Sequence, residues 1–289
     1  MKTDKRTNMV LLCLLIVYLA LSVVLQCMVG SIDTSALTSF VGLALGVSAT
    51  AFLFVLDREC EDREWERQLR SSGAACVLLA LSVACCIVGG SLPTPVAFRT
   101  SWWFVGVLLL LEVHLALVLI HRLRRFRLSN DVAFFFVHIG LWLALFSGMV
   151  GEGDAYDVRA LVSPGESVST GMDAGGKVRP LGYSLHLYDL KVDSDGNGKP
   201  VHYEAGIMID SVPHRLAVNA PVSVGFSDDI YISGYRPAGY DGGKRPAACV
   251  LQIVRQPWKY PMLLGIVMLM VGIVWYVFST KPRGRTMPC

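Results

Sequence analysis

Six long apolar segments constrain the fold of this chain more than any other feature. They run from about 9–29, 35–56, 74–90, 102–121, 132–150 and 260–279. A helix that crosses the hydrocarbon layer needs roughly 17–25 mostly apolar residues, and all six segments reach that lower limit. The first lacks the small-residue cleavage site of a signal peptide, so we expect it to be retained. The sequence therefore predicts a polytopic α-helical membrane protein with about six spans.

The composition agrees with a chain in contact with membrane lipid. Hydrophobic residues make up 53% of the sequence and charged residues 17%, whereas soluble domains average about 25% charged residues. We find no Walker loop, dinucleotide-binding glycine motif, HExxH motif or catalytic triad pattern. Nothing in the sequence indicates nucleic-acid binding either.

The basic residues predict the orientation of the spans. They precede the first span, follow the last, and lie in alternate loops: Lys2, Lys5, Arg6, Arg58, Arg63, Arg67, Arg70, Arg122, Arg124, Arg125, Arg127, Lys281, Arg283 and Arg285. The other two short loops hold only Arg99. Loops rich in Lys and Arg stay in the cytoplasm. We therefore expect both termini to be cytoplasmic and residues 151–259 to be extracytoplasmic.

Two features at the predicted cytoplasmic side have ordinary interpretations. Glu66 and Arg70 in the segment 57–73 are four residues apart, which is the spacing of an ion pair on a solvated helix. His121 precedes Arg122 at the end of the fourth span. We expect its side chain to reach the membrane interface.

The polar region before the last span predicts an antiparallel β domain. Tyr183, Leu185 and Leu187 alternate with polar residues, and Val201 to Ile209 reads as a second strand after an Asp- and Gly-rich turn at 193–200. Several short strands between turns indicate a small sandwich or barrel. The predicted division is a five-span membrane domain (1–150), the β domain (151–259), and a final span with a cytoplasmic tail (260–289).

The fifth span carries an ionisable side chain among apolar residues. It runs from Val132 to Val150 and contains His138. Burying such a side chain in hydrocarbon without a partner is costly, so an intramembrane histidine is a candidate functional residue. We expect this span to be the helix around which the chain is organised, because it joins the membrane half to the polar region.

His114 in the fourth span has a matching depth. It lies seven residues before the predicted cytoplasmic end of its span, and His138 lies about as far after the start of the next. At about 1.5 Å per residue, both are roughly 10 Å from the cytoplasmic edge. Two such imidazoles can ligate heme iron, or each can hydrogen-bond to a neighbouring helix. Spacing alone leaves both alternatives open.

Short motifs in the second half of the chain resemble the ResB family, also called CcsB, of cytochrome c biogenesis proteins. They extend over about 132–279 and comprise His138-Ile-Gly with Gly148 and Gly151, Pro164-Gly-Glu166, Pro180 to Leu187, Val218-Asn-Ala-Pro221, Ile230-Tyr231 and Gln256-Pro257. A span that leads into an extracytoplasmic domain is also similar to the family pattern.

The resemblance implies a membrane subunit of system II cytochrome c biogenesis in the bacterial cytoplasmic (inner) membrane. Such a subunit acts with a CcsA-like partner to move heme outward and attach it to apocytochrome c. The transmembrane histidine of the family corresponds to His138, which would share the heme with a ligand from the partner. The chain would then be an accessory or non-catalytic subunit of the heme lyase, with a periplasmic domain.

The sequence departs from the family pattern in two respects. It lacks the tryptophan-rich heme-binding segment of the partner, so it is not the whole synthase. It also has more spans before the β domain than the family leads us to expect, and the role of the first two stays open.

Two other functions are compatible with the sequence. With His114 and His138 as two ligands on one chain, the protein would be a cytochrome b-like electron carrier. Without heme, it would be a membrane-anchored scaffold for an envelope complex. The resemblance favours the biogenesis function, because its motifs surround His138 and not His114.

Overall fold

The computed structural model of the chain describes residues 2–34, 38–61, 63–91, 98–194, 200–237 and 247–279. It divides into two compact units. One comprises Met1–Gly153 with Tyr260–Cys289, and the other comprises Asp154–Lys259. The predicted cytoplasmic tail after residue 279 and most of the Asp-rich turn, residues 195–199, lie outside the described residues.

The first unit is helical. Its helices are α1 (Lys2–Val29), α2 (Ser39–Cys60), α3 (Glu64–Leu69), α4 (Ser72–Ser91), α5 (Trp102–Leu123), α6 (Leu128–Gly151) and α7 (Lys259–Ser279), with a short 3-10 turn at Phe98–Thr100. Within the described part of the chain, six of these helices are long and apolar enough to cross a membrane. This confirms the six predicted apolar helices; α3 is too short to span.

The central helix of this unit is α5. It contacts α1, α2, α4 and α6. Half of its apolar stretch is buried by other helices, compared with 11% for α6. Within the helical unit, the most buried helix is therefore α5, while the fifth predicted span, α6, leads into the β domain as expected. Hydropathy cannot reveal this difference, because lipid tails are as apolar as a leucine side chain on a neighbouring helix.

One end of the helical unit is joined by hydrogen bonds around Trp102. The indole nitrogen of Trp102 donates to the carbonyl oxygen of Gly30 at 3.0 Å, and the Tyr18 hydroxyl donates to the carbonyl oxygen of Trp102 at 2.7 Å. Arg99 and Glu152 form an ion pair at 3.5 Å beside this region. The end of α1, the start of α5 and the end of α6 therefore share one end of the bundle.

The opposite end of the unit is joined by ion pairs. Arg124 after α5 donates to Asp57 near the end of α2 at 2.9 Å. Arg122 near the end of α5 donates from its Nε atom to Asp131 near the start of α6 at 3.0 Å. The two basic loops, 57–71 and 122–131, therefore lie at the same end of the bundle.

Glycines allow α6 and α7 to pack backbone against backbone. A Cβ atom at Gly140 would lie 2.7 Å from the carbonyl oxygen of Gly265 and 2.5 Å from the amide nitrogen of Leu269. One at Gly272 would lie 2.7 Å from the amide nitrogen of Val137. Real side chains do not fit at such distances. The contact depends on small residues, as in many membrane helix pairs.

The second unit is a single antiparallel sheet. Its strands are β1 (Tyr156–Val162), β2 (Ser167–Met172), β3 (Val178–Ser194), β4 (Pro200–Ile209), β5 (Val212–Ala217), β6 (Val222–Val224), β7 (Asp228–Arg236) and β8 (Ala248–Arg255). The strand order is β5-β4-β3-β2-β1-β8-β7-β6. The first and last strands pair, with Tyr156 opposite Arg255. The chain therefore enters and leaves this unit at adjacent points.

The sheet curls around one apolar core. β5 at one end of the strand order contacts β6 and β7 at the other end, which gives a barrel-like shape. Alternate residues of β1 are buried, as expected for a strand with one face in a core. Fully buried side chains fill the interior: Val158, Val162, Leu185, Leu187, Ile207, Leu216, Ile230, Leu251 and Ile253. The predicted antiparallel β domain is confirmed.

A buried carboxylate lies where β7 begins. Asp228 is 2% exposed and accepts hydrogen bonds from the Tyr183 hydroxyl and from Arg255, each at 3.2 Å, and from the Ser227 hydroxyl. Burial and the nearby carboxylate raise the pKa of Tyr183 above its ordinary value, so the phenol stays a donor. Buried polar groups need such partners, and Asp228 has three.

The close packing of α6 on α7 makes a testable prediction. Gly140→Ala is expected to destabilise the helical unit by about 1–3 kcal/mol, because its methyl group would force the helices apart. Gly148→Ala on the same helix is the matched control, since its Cβ atom would meet only Met262 Cε at 3.6 Å. Thermal unfolding of the purified variants in one detergent measures the difference, and equal melting temperatures would contradict the packing.

Candidate functional site

His138 lies in the first half of α6, with its ring partly exposed. Its Nδ1 atom is 2.8 Å from the carbonyl oxygen of Phe134, one turn earlier. A carbonyl oxygen only accepts, so Nδ1 carries the proton and Nε2 keeps a lone pair. The Phe134 ring stacks on the imidazole with a centroid distance of 3.9 Å and an interplanar angle of 25°. The side chain is thus fixed in one tautomer and one orientation.

His114 lies on α5 and is 6% exposed. Its Nδ1 atom is 2.6 Å from the carbonyl oxygen of Leu69, the last residue of α3. The same argument puts the proton on Nδ1 and the lone pair on Nε2. His114 therefore makes the hydrogen bond to a neighbouring helix that the sequence left open as an alternative, and its ring is almost fully covered.

The structure brings these two histidines together on adjoining helices. These two helices, α5 and α6, pack against each other. The accessibility of the two histidines differs, because His114 is buried and His138 is partly exposed. A planar macrocycle as large as heme can approach only a ring that has open space beside it.

A buried ionic cluster surrounds Asp57 at the end of α2. The Asp57 side chain is fully buried, and its oxygens lie 2.9 Å from Arg124, 3.4 Å from the His121 ring and 3.9 Å from Arg70. Only 20% of the His121 side chain is exposed. His121 therefore turns toward Asp57, and its position at a membrane interface stays a prediction.

Glu66 on α3 belongs to the same cluster. It pairs with Arg70 at the predicted spacing, yet its side chain is fully buried. The predicted solvated helix therefore holds for the exposed Trp65 and Arg67 of α3 but not for Glu66. Losing one partner of a buried ion pair costs about 3–5 kcal/mol. The cluster accordingly fixes α3, and with α3 the Leu69 carbonyl oxygen that holds His114.

Glu112 is a further buried carboxyl group on α5. It is 7% exposed, and within the described residues neither of its oxygens has a hydrogen-bond partner. It lies two residues before His114, so it faces another side of the helix. Burial without a partner favours the neutral, protonated form of a carboxyl group.

Sequence reasoning missed the residues that flank His138 on the side of the basic loop. Asp131, Phe134 and His138 lie three and four residues apart, so they follow one face of α6. Arg122 pairs with Asp131, and its guanidinium carbon lies 5.6 Å from the centroid of the Phe134 ring. The helical spacing of these residues was the available signal.

The β domain has three histidines that do not converge. The His186 Nδ1 atom is 3.1 Å from the Glu166 carbonyl oxygen, and His202 is exposed beside Glu204. His214 is partly exposed on β5. Across the described ranges, no three His, Cys, Asp or Glu side chains form a group able to hold a metal ion. An axial heme site differs, because it takes a single imidazole from each side of the iron.

The sequence model of the ResB-like family matches residues 128–246. Residues 128–246 are ResB-like. The match spans all of α6, with His138, and the β domain as far as β7. It confirms, for this segment, the resemblance found in the motifs. The first five helices lie outside the ResB-like segment.

Other comparisons add little. No curated protein matches the chain. A solved structure of the cytochrome c heme lyase CcmF is similar with a TM-score of 0.34 and 13% sequence identity, over 72% of this chain and 35% of that chain. The chain thus spans about a third of the lyase it matches, and a likeness of this degree supports no conclusion about shared structure or activity.

Proposed function

We propose that this chain is a membrane subunit of a cytochrome c biogenesis complex and that His138 ligates heme within the membrane. One observation carries the proposal. The Nδ1 proton of His138 is donated to the Phe134 carbonyl oxygen at 2.8 Å, so Nε2 presents a lone pair from a partly exposed ring. Histidines that bind metals are commonly held in this way by their second nitrogen. The ResB-like segment around His138 supplies the biological context.

Heme in this system is cargo. It brings the iron that an imidazole ligates and the vinyl groups that are joined to the thiols of apocytochrome c. The residues of this chain bind and orient it, while the attachment step is carried mainly by the partner. That role fits a chain whose candidate ligand is a single oriented imidazole in an apolar helix.

The second axial ligand would come from a CcsA-like partner. His114 is the alternative within the chain, but it is 6% exposed and its Nδ1 atom is held by Leu69 of α3. To ligate the same iron, His114 would have to be uncovered. The cluster around Asp57 and Glu66 opposes that movement, because it fixes α3 by buried ion pairs.

The proposal includes a topology. The basic loops 57–71 and 122–131 share one end of the bundle, as the Asp57–Arg124 and Arg122–Asp131 pairs require. We assign that end to the cytoplasm, since Lys- and Arg-rich loops remain inside. The membrane is then the bacterial cytoplasmic membrane, and residues 154–259 lie outside it, where they would dock against the partner and apocytochrome c.

A second function rests on the placement of the two histidines on adjoining helices. If α3 withdrew from His114, both histidines could ligate one iron as in a cytochrome b-like electron carrier. The scaffold without heme is the third alternative. Histidine variants separate all three.

His138→Ala is expected to reduce the heme that co-purifies with the chain and its partner by about tenfold or more, since a loss of about 1.4 kcal/mol in ligand affinity already gives a tenfold change. His114→Ala is expected to retain most of the heme. Added imidazole should partly restore the His138→Ala complex, because the small ligand fits the vacated position. Heme absorbance per mole of purified complex is the measurement.

His202→Ala in the β domain is the control, since that ring is exposed on a strand and far from α6 in sequence. Equal loss of heme in His114→Ala and His138→Ala would identify a bis-histidine site on one chain. Unchanged heme in both variants would reject heme ligation and leave the scaffold function.

The topology is tested by cysteine labelling. Phe126→Cys lies in a basic loop and Phe226→Cys lies in the β domain; these phenylalanines are 43% and 81% exposed. In spheroplasts and in a background without the native cysteines, an impermeant maleimide should label Phe226→Cys only. Labelling of Phe126→Cys before lysis would reverse the assignment.

A further inference from the structure

A line of contacts leads from His138 to the basic loop. The Phe134 ring stacks on the imidazole at 3.9 Å, and the Arg122 guanidinium lies 5.6 Å from the centre of the same ring. Asp131, which pairs with Arg122, is nearly one turn before Phe134, and His138 is one turn after it. Phe134 therefore contacts both the imidazole and the guanidinium.

A polar cleft opens beside Arg122. Its volume is about 250 Å³, and it is lined by Arg122, Arg125, Arg127 and Asp131. The lining holds three arginines and one aspartate, so it carries an excess of positive charge, and the Arg125 guanidinium also donates to Glu61 at 2.7 Å. Asp131 is already satisfied, because it accepts from Arg122 at 3.0 Å and from the Arg127 amide at 2.8 Å.

The arginines of this cleft have donors to spare. The side chains of Arg122 and Arg125 are 51% and 68% exposed. A guanidinium has five N–H donors in a planar fork, and Arg122 directs only its Nε and one Nη atom at Asp131. The fork geometry matches a carboxylate or a phosphate better than any other anion.

The contacts from His138 to Arg122 run in the direction in which a heme bound to His138 would extend. Iron bound to Nε2 lies in the plane of the imidazole, and the macrocycle is perpendicular to that bond. The macrocycle therefore extends along the normal to the imidazole plane. Phe134 stacks on the imidazole face, so the contacts toward Arg122 leave His138 in that direction. A heme carries its two propionate carboxylates together at one edge.

We propose that Arg122, Arg125 and Arg127 bind the propionate carboxylates of the heme whose iron His138 ligates. Phe134 fills the space under the macrocycle between the ligand and this cleft. The assignment rests on the proposed function, since it requires heme at His138. It adds a recognition site for the carboxylate edge of the cargo, at the end of the bundle that we assign to the cytoplasm.

The test compares heme with heme dimethyl ester, in which both propionates are esterified and carry no charge. The protein is the full-length chain purified with its CcsA-like partner. The variant is Arg125→Gln/Arg127→Gln, which leaves the Arg122–Asp131 pair and the Arg127 amide in place. It removes the Arg125–Glu61 pair, but Glu61 keeps its pair with Arg124 at 3.1 Å. Arg122→Lys keeps that positive charge but removes the fork. The control is Arg58→Gln, which removes an exposed positive charge from the other basic loop.

The double variant is expected to bind heme about tenfold more weakly or worse, because hydrogen bonds between charged groups are lost. The affinity of the ester for the unaltered complex should equal the affinity of heme for the double variant. The double variant should bind heme and the ester with the same affinity. The Soret spectrum of bound heme should stay that of histidine-ligated iron throughout. Arg58→Gln should change nothing.

Equal affinity of heme and its ester for the unaltered complex would overturn the propionate site, while the His138 assignment stands. Loss of binding to anionic-lipid vesicles in the double variant, with heme and ester affinities unchanged, would identify a lipid phosphate as the ligand and also overturn it. If the unaltered complex binds no heme, or His138→Ala binds it as tightly, the proposed function fails first. The failure of the propionate site and the failure of the proposed function therefore give different results, since only the second removes bound heme from the unaltered complex or leaves His138→Ala without effect.

Discussion

The burial of charged groups among apolar helices is the constraint on which the helical unit depends. Asp57 is fully buried, and such a carboxylate is tolerated only with partners. Its partners are Arg124, the residue after α5, and Arg70, the residue after α3. These pairs join α2, α3 and α5 at one end of the bundle, and they place the α3 carbonyl oxygen that holds His114.

The same requirement gives two histidines different roles. His114 and His138 each donate the Nδ1 proton to a backbone carbonyl oxygen, His114 to another helix and His138 to its own. The His138 ring, bonded within α6, stays partly exposed, while His114, bonded to α3, is buried. The two histidines have the same tautomer, so exposure alone distinguishes the candidate ligand His138 from the buried His114. Glu112 shows the contrast, since it is buried and neither of its oxygens has a hydrogen-bond partner among the residues that the structure describes.

Much of the fold could be predicted because its signals are local. The apolar lengths located all six long helices, and the period-two pattern around Leu185 located β3. The contacts of α5 could not be predicted, because a leucine that faces lipid and a leucine that faces another helix have the same hydropathy. Glu66 was misjudged for a related reason. Its partner Arg70 is local, but the neighbours that bury both come from distant helices.

The candidate site was only partly visible in the sequence. His138 was identified because an ionisable residue in an apolar span is conspicuous. The covering of His114 by Leu69 was not, since it joins residues 45 positions apart through a backbone atom. The role of Phe134 depends on a rotamer that places its ring on the imidazole. The sequence could not reveal it, because phenylalanine is a common residue in membrane spans.

An electron cryo-microscopy map of the chain, purified from cells with its CcsA-like partner, tests the central claim most directly. The account predicts density for a heme whose iron is bound to His138 Nε2 on one side and to a residue of the partner on the other. It also predicts His114 still covered by α3. A heme held by His114 and His138 of one chain, or a His138 ring packed against lipid or protein with heme elsewhere, would contradict it.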